Sequence, residues 1–332
     1  MKAIRIHEHG GPEVLRLEEV ELPPPGPGEV RVRHTAIALN FSDVNVRRGG
    51  FYSDVKPALP LIPGNEAAGV VTAIGPGVSG ISPGQRVGYV GTGGAFYKDT
   101  GAYAQERNMP AARLVPLPDD ITDEQAVSVM MKGLTASSII DRIFTPKPRD
   151  RILIHAAASG VGLILTSWAK HLGASVLGTV GSAAKAEIAC AHGLDMPIFY
   201  RDTDFVPVVR GVAPHGVDAV YDGVGKDTFI RSLDCVRPFG MLVNYGNASG
   251  HVPPLDLLLL AQKGSLSVSR PAVSYYLGDP NRLREVTANV FRLVAAGAIK
   301  LHIGRRWALA DAAEAHRALE AGETVGASVL VP

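Results

Sequence analysis

Residues 151–180 constrain the fold of this chain more than any other stretch. Arg151-Ile152-Leu153-Ile154-His155 has the length and apolar content of a buried strand. The turn Ala156-Ala157-Ala158-Ser159-Gly160-Val161-Gly162 follows, then a helix-compatible run over 163–172 that stops at Gly173, where a helix C-cap is expected. Ser175-Val176-Leu177-Gly178-Thr179-Val180 reads as a second strand. Strand, glycine-containing turn, helix and strand within about 30 residues make a βαβ unit. Two further strands, 217–221 ending at Asp222-Gly223 and 241–245 ending at Gly246, extend the pattern. Each closes on a small residue, as expected where strand ends of an open parallel sheet approach a ligand.

The turn Ala157-Ala158-Ser159-Gly160-Val161-Gly162 occupies the place of a GxGxxG fingerprint, with two of its three glycines replaced. Its setting carries the signal. A turn joining strand to helix converges backbone N–H groups and the positive end of the helix on one point, a site for phosphate. Gly160 permits close backbone approach and Gly162 close helix–sheet packing. An ordinary turn without ligand is the alternative. The end of the second strand, Gly178-Thr179-Val180-Gly181-Ser182-Ala183-Ala184-Lys185, has no carboxylate before Glu187. A site selecting NAD usually places an acidic residue there for the ribose 2′-hydroxyl. Hydroxyls and a cation suit the 2′-phosphate of NADPH instead. Lys185 as a solvated helix residue is the plainer reading.

Residues 1–125 are β-rich. Glu29-Val30-Arg31-Val32-Arg33-His34 alternates charged and apolar side chains with the period of a half-buried strand. Residues 67–74 and 85–90 are further strands, set off by Gly75-Pro76-Gly77 and Pro83-Gly84, and such spacing suggests a barrel or sandwich. Near Thr122 the texture becomes helical over 123–137, with Thr122 as N-cap and Gln125 three residues on. After about 263 come Ser265-Leu266-Ser267-Val268-Ser269-Arg270 and a helix over 282–296.

Composition narrows the classes of function. The chain has 332 residues, enough for two domains, and 46% are hydrophobic. Its 33 basic and 32 acidic side chains give a formal charge of +1, so no long-range field draws nucleic acid or an anionic membrane. The N-terminal residues are charged where a signal peptide is apolar, and the densest apolar run, 255–261, is too short to span a bilayer. Cys190 and Cys235 are the only cysteines; two free thiols in a reducing cytoplasm are expected.

Metal and hydrolytic motifs are missing. There is no HExxH, no CxxC and no cysteine ligand near Gly64-Asn65-Glu66. No GxSxG elbow occurs; Gly246-Asn247-Ala248-Ser249-Gly250 has the wrong spacing. His155, at a strand end, reads as a hydrogen-bonded structural histidine before a general base. Without zinc, hydride delivery suits an acceptor that delocalises the charge onto a distant oxygen: a quinone, an enone or an enoyl thioester.

Asn40-Phe41-Ser42-Asp43-Val44, Gly64-Asn65-Glu66-Ala67-Ala68-Gly69, Lys132-Gly133-Leu134-Thr135 and the turn from His155 to Gly162 together resemble the zinc-independent NADPH:quinone oxidoreductases, the zeta-crystallin-like branch of the medium-chain dehydrogenase/reductase superfamily. So do Gly178-Thr179-Val180-Gly181, Ser232-Leu233-Asp234-Cys235, Tyr245-Gly246-Asn247-Ala248-Ser249-Gly250 and Gln262-Lys263-Gly264-Ser265-Leu266. The resemblance implies an α/β fold: a Rossmann doubly wound parallel sheet domain over 126–263, and a GroES-like β-rich domain over 1–125 completed by 264–332. It implies an active site in the cleft between them, and a homodimer.

Carried over residue by residue, the resemblance puts Asn40 and Thr135 at the nicotinamide end. Ser159, Gly160, Val161 and Gly162 cradle the pyrophosphate. Gly181, Ser182, Lys185 and Tyr200 serve the 2′-phosphate and adenosine region. Gly223, Tyr245, Gly246 and Asn247 line the strand ends, with Val268, Ser269 and Arg270 near the nicotinamide. Zinc-dependent relatives carry a cysteine near Phe41 and a histidine where Asn65 stands; neither is present here. Other departures are Ser159 for the fingerprint's middle glycine, Asn45 for a common tyrosine, and Gly322 and Ala327 for a C-terminal arginine and lysine. In the relatives that arginine helps bind the 2′-phosphate. Tyr52 resembles the proton-donating tyrosine of enoyl thioester reductases, and so marks an enone or enoyl thioester reductase as the runner-up, with a pocket wall as its plainer role. A non-catalytic NADPH-binding protein is the third reading.

Overall fold

Strands β1 (Lys2–Arg5) and β2 (Arg16–Glu19) open the chain as an antiparallel pair. The structure, a computed structural model, describes residues 1–50, 57–91 and 100–332, with the backbone alone at 276 and 277. β3 (Glu29–Leu39), β4 (Glu66–Ile74) and β5 (Arg86–Val90) form an antiparallel meander, with β6 (Glu106–Pro110) on β3 and β7 (Val115–Pro116) on β5. β3 alternates as its sequence demands, Val30 and Val32 inward and Arg31 and Arg33 outward, then runs buried from Ala36 through Leu39. Helix α1 (Phe41–Arg48) follows β3 directly; Asn40 caps it and exchanges hydrogen bonds with Asp43, and Gly49 ends it at φ +93°. In α2 (Asp123–Ile140), Gln125 N–H donates to the Thr122 hydroxyl (3.2 Å) and Thr122 N–H to the Gln125 side chain (2.9 Å), the reciprocal cap the sequence suggests.

β8 (Arg151–Ile154), α3 (Gly160–His171) and β9 (Ser175–Val180) build the βαβ unit. α4 (Ala183–Ala191), β10 (Met196–Phe199), α5 (Phe205–Val212), β11 (Val217–Asp222), α6 (Phe229–Ser232), β12 (Val236–Asn244), α7 (Leu257–Gln262) and β13 (Ser267–Ser269) complete that half. All six strands are parallel, in the order β10-β9-β8-β11-β12-β13. Counted from the first strand this is 3-2-1-4-5-6, the doubly wound order, with its switch point between β8 and β11. One face packs Leu153, Leu177, Ile198, Val220 and Leu242 against Phe205, Val209, Phe229 and Leu233.

The C-terminal stretch adds α8 (Ser274–Leu277), α9 (Pro280–Ala295), β14 (Ile303–Ala308), α10 (Ala312–Glu320) and β15 (Ala327–Val331). β15 lies antiparallel on β3, pairing Val329 with Ala38, so the β-rich sheet joins residues some 290 positions apart. Two units result. One holds Met1–Met131, Ser274–Ala295 and Leu301–Pro332, and the other Lys132–Val273 and Ala296–Lys300. The core of the first gathers Val30, Val32, Ile37, Val71, Tyr89, Met109 and Leu330. Among the described residues no helix is long and apolar enough to cross a membrane.

Candidate functional site

The Rossmann unit's switch point is assembled from the ends of β8, β9 and β11. The run over 163–172 begins three residues earlier than its apolar pattern suggests, because Ser159 is the N-cap of α3 and its hydroxyl accepts from Gly162 N–H at 3.1 Å. Ser159 therefore fills the fingerprint's middle position while shaping the helix end itself. The amides of Gly160 and Val161, at the first two helical positions, have no carbonyl partner within the helix and sit in a half-buried turn. Gly162 is required by packing. A Cβ there would sit 2.3 Å from the Ala156 carbonyl oxygen, so only glycine lets α3 come this close to β8. Open amides at the positive end of a helix, closely backed by a strand, fit a pyrophosphate.

Beneath the turn lies a hydrogen-bond chain that the sequence does not announce. Ala156 takes φ +52°, and its N–H donates to the Thr179 hydroxyl at 3.0 Å. Thr179 Oγ1 also lies 3.2 Å from His155 Nδ1, and His155 Nε2 is 2.8 Å from Ser232 Oγ. Ser232 donates its own proton to the Thr228 carbonyl, so Nε2–H donates to Ser232 and the Thr179 hydroxyl donates to Nδ1. The imidazole is fully buried, edge-on to Phe205, and burial holds its pKa down at about 4. His155 is neutral and structural; it clamps β8, β9 and α6 under the turn. A buried hydroxyl on the second strand, facing a strand-end histidine, was the available signal.

At the end of β9, Ser182 caps α4, its hydroxyl accepting from Lys185 N–H at 3.4 Å. The bend at Gly181 is crowded: a Cβ there would lie 3.1 Å from the Tyr200 hydroxyl oxygen and 3.5 Å from Arg201 Nε. Lys185 is half-buried, and burial first, then the Arg201 charge, lower the pKa of its ammonium. The structure thus brings Gly181, Ser182, Lys185 and Tyr200 together and adds Arg201, which the sequence reading passed over. Its signal was adjacency to Tyr200 just past the end of β10.

On the other side of the switch point, Asp222 organises the β11 end. It is fully buried, and its Oδ1 accepts from Val224 N–H (2.8 Å), Gly225 N–H (3.1 Å) and the Thr228 hydroxyl (2.8 Å). Tyr245 N–H donates to the Asp222 carbonyl at 2.8 Å, and the Tyr245 ring lies over Gly223, where a Cβ would meet it at 2.8 Å. Burial and the neighbouring Asp222 charge raise the Tyr245 pKa, keeping the phenol protonated. Gly246 packs on the Gly223 carbonyl, 2.3 Å from where its Cβ would be. Arg270, just past β13 and its residues Val268 and Ser269, donates to the carbonyls of Asn244 (3.2 Å) and Gly246 (3.1 Å) and to the side chains of Asn244 and Asn247. The strand-end residues therefore form one connected rim. Thr135 is half-buried on α2 in the same unit.

The β-rich unit carries its own polar cluster. Asn40 Nδ2 donates to Glu66 Oε2 at 2.9 Å, and Met131 N–H donates to Glu66 Oε1 at 2.9 Å. Asn65 Nδ2 and the Tyr103 hydroxyl both donate to Asp43, at 3.4 and 3.1 Å. Tyr103 in turn meets His316 Nε2 at 3.0 Å, and His316 Nδ1 accepts from Arg47 at 3.0 Å. Arg47, fully buried, makes a two-pronged ion pair with Glu320 at 2.8 and 3.0 Å. Because guanidinium can only donate, Nδ1 is the acceptor, and Nε2–H donates to Tyr103. Burial and then the Arg47 charge drop His316 to a pKa of about 3, so it stays neutral. Asn40 and Asn65 are thus held by carboxylates from α1 and β4. Among the described residues no group of three or more His, Cys, Asp or Glu side chains is placed to hold a metal ion. Tyr52 lies outside the described residues.

Comparison with known proteins bears on both units. The family model described as "Alcohol dehydrogenase GroES-like domain" matches residues 26–119, and that described as "Zinc-binding dehydrogenase" matches 192–330. A protein of Salmonella typhimurium named quinone oxidoreductase is 42% identical over 99% of both chains. A Burkholderia protein named 2-haloacrylate reductase is 41% identical over 98% of both. The crystal structure of Escherichia coli quinone oxidoreductase complexed with NADPH superposes with a TM-score of 0.92, at 40% identity, over the full length of each chain.

Proposed function

The chain belongs to the quinone oxidoreductase family, and from that premise we propose that it reduces a quinone or another electron-poor conjugated carbonyl at the expense of NADPH. When bound, the nicotinamide supplies the hydride; the protein supplies binding and orientation. The observation that carries the reading is the pairing of a helix-end cradle with a cationic, carboxylate-free strand end: the open amides at Gly160 and Val161, backed by Gly162, beside Ser182, Lys185 and Tyr200. The first group would hold the pyrophosphate, and the second the 2′-phosphate and adenosine ribose. Gly223, Tyr245, Gly246, Asn247, Val268, Ser269 and Arg270 would border the nicotinamide half of the cofactor, with Asn40 and Thr135 at its ring. The half-buried, protonated Tyr245 would offer a neutral hydroxyl in that region, and Tyr52 a proton to an acceptor carbon.

The relative named for 2-haloacrylate favours including activated alkenes among the acceptors. A steady-state panel of quinones, enones, 2-haloacrylates and enoyl thioesters tests the assignment, with Tyr52→Phe alongside. Quinone turnover retained in the variant supports it; turnover of thioesters only, lost in the variant, overturns it. NADPH binding with no acceptor reduced would favour a non-catalytic role. We also place the chain as a homodimer in a reducing cytoplasm, a setting supported by its two unpaired thiols, one exposed at Cys190 and one at Cys235, where burial raises the pKa to about 12. Sedimentation equilibrium tests the dimer.

A further inference from the structure

We propose that the β-rich unit carries a second ligand site, a cleft beside Arg107 that takes a small apolar monocarboxylate. The site goes beyond the cofactor reading: its described lining residues all belong to the β-rich unit, and none of them is assigned to the nucleotide. The cleft has a volume of about 390 Å³, within the range of about 300–1,000 Å³ usual for small-molecule sites. Leu22, Leu61 and Ile62 give it an apolar side, and Arg5, Glu106 and Arg107 bring charge to it.

Arg107 lacks the anion that its position calls for. It lies on β6 opposite the inward-facing Val32 and two residues before the fully buried Met109, so strand alternation sets it on the core side of the sheet. Its Cζ stands 5.4 Å from the centre of the buried Tyr89 ring. Nη1 is shut off from solvent without a hydrogen-bond partner. Among the described residues no carboxylate comes within 4.0 Å of this guanidinium; Glu106, its neighbour in the cleft, pairs with Arg31 at 3.9 Å. The polar side chains that Arg107 does face, Tyr89 and beyond it His34, are neutral. Burial pushes the Tyr89 phenol up, and its hydroxyl donates to His34 Nε2 at 2.9 Å. Burial first, and the Arg107 charge after it, hold His34 down at a pKa of about 4. A guanidinium keeps its charge at any working pH, and a half-buried one without a counter-ion is destabilising until an anion joins it. Its planar fork matches the two oxygens of a carboxylate. Gly101 forms the wall at this point, where a β-carbon would crowd Arg107 Nε at 2.9 Å. The Glu106 carboxylate in the lining opposes a multiply charged anion, and the apolar side accommodates a hydrocarbon body. A monocarboxylate therefore fits better than a phosphate.

The test is isothermal titration of the full chain with octanoate, beside octanamide, which has the same length and no charge, and inorganic phosphate. Octanoate is expected to bind with a Kd below about 1 mM, and at least about tenfold more tightly than octanamide or phosphate. Arg107→Met keeps an apolar stem on Tyr89 and removes the charge, and should weaken octanoate by about tenfold or more. Leu22→Glu, at a half-buried position on the apolar side, sets a repelling charge in the cleft and leaves Arg107 in place. It should weaken octanoate to a similar degree, and it carries the test where Arg107→Met fails to fold. Saturating NADPH should leave the octanoate affinity within about twofold, as two separate sites require. No binding of octanoate up to about 10 mM, equal binding of octanamide, full affinity in either folded variant, or displacement by NADPH overturns the proposal. NADPH binding in the absence of any octanoate site leaves the cofactor reading in place.

Discussion

Replacing Gly162 by alanine probes the cradle most sharply, because the added atom has nowhere to go. The new Cβ would lie 2.3 Å from the Ala156 carbonyl oxygen and 2.9 Å from the carbonyl carbon and oxygen of Ala157, all of them backbone. Relief to an ordinary contact needs α3 to withdraw by about 1 Å, since no rotamer change can move a main-chain carbonyl. Overpacking of this kind costs about 1–3 kcal/mol, offset by roughly 0.5–1 kcal/mol from alanine's better helix propensity. A net loss of about 1–2 kcal/mol lowers Tm by about 1.5–3 °C in a chain of 332 residues, by the usual entropy scaling. The same withdrawal drags the Gly160 and Val161 amides off a pyrophosphate, so NADPH should bind at least about tenfold more weakly. Gly211 is the control. It lies in α5 with no atom within 4 Å of a built Cβ, so Gly211→Ala should raise stability by roughly 0.5–1 kcal/mol and leave binding alone. Thermal unfolding by circular dichroism and a fluorescence titration of NADPH read both effects. A Gly162→Ala protein with unchanged Tm and unchanged affinity refutes the packing argument.

Three further outcomes follow from the buried polar groups. Thr179→Val keeps the shape but strips the Ala156 amide of its acceptor and His155 Nδ1 of its donor; chemical denaturation should show a loss of about 1–3 kcal/mol, accompanied by weaker NADPH binding. Tyr103→Phe leaves His316 Nε2–H and Asp43 short of a partner in the core of the β-rich unit, and the same assay should read a comparable loss with NADPH affinity unaltered. Acidification should unfold the protein early. Burial holds His34 and His155 at a pKa of about 4 and His316 at about 3, against 6.5 when exposed. Between those values the unfolded chain binds more protons, so stability rises with pH across the window. Each imidazole forfeits on the order of 2 kcal/mol by pH 5. A urea midpoint that stays level from pH 7.5 to pH 5 contradicts this.

Much of the fold was legible because its signals are local. The βαβ unit declares itself by period and punctuation, and the alternation at residues 29–34 marks β3. The Thr122 cap is written in four consecutive residues. Contributions that depend on distant partners were not legible. No local pattern pairs β15 with β3, and nothing near Arg47 foretells its ion pair with Glu320. Within the site, Ser159 and Lys185 were readable from the fingerprint's position and from the missing carboxylate. Thr179, Asp222 and Arg201 were not, since each matters through a residue on another strand or loop: Ala156 and His155, Val224 to Thr228, and the Gly181 bend. Sequence spacing finds groups on one element, whereas a parallel sheet gathers its site from the ends of several.

The account stands or falls on where the nucleotide's phosphates lie. A crystal structure of the protein grown with NADPH measures this directly. The account predicts the pyrophosphate against the amides of residues 160–162 and the 2′-phosphate within hydrogen-bond distance of Lys185. A nucleotide bound elsewhere, or a metal ion seated beside Asn65, would contradict it.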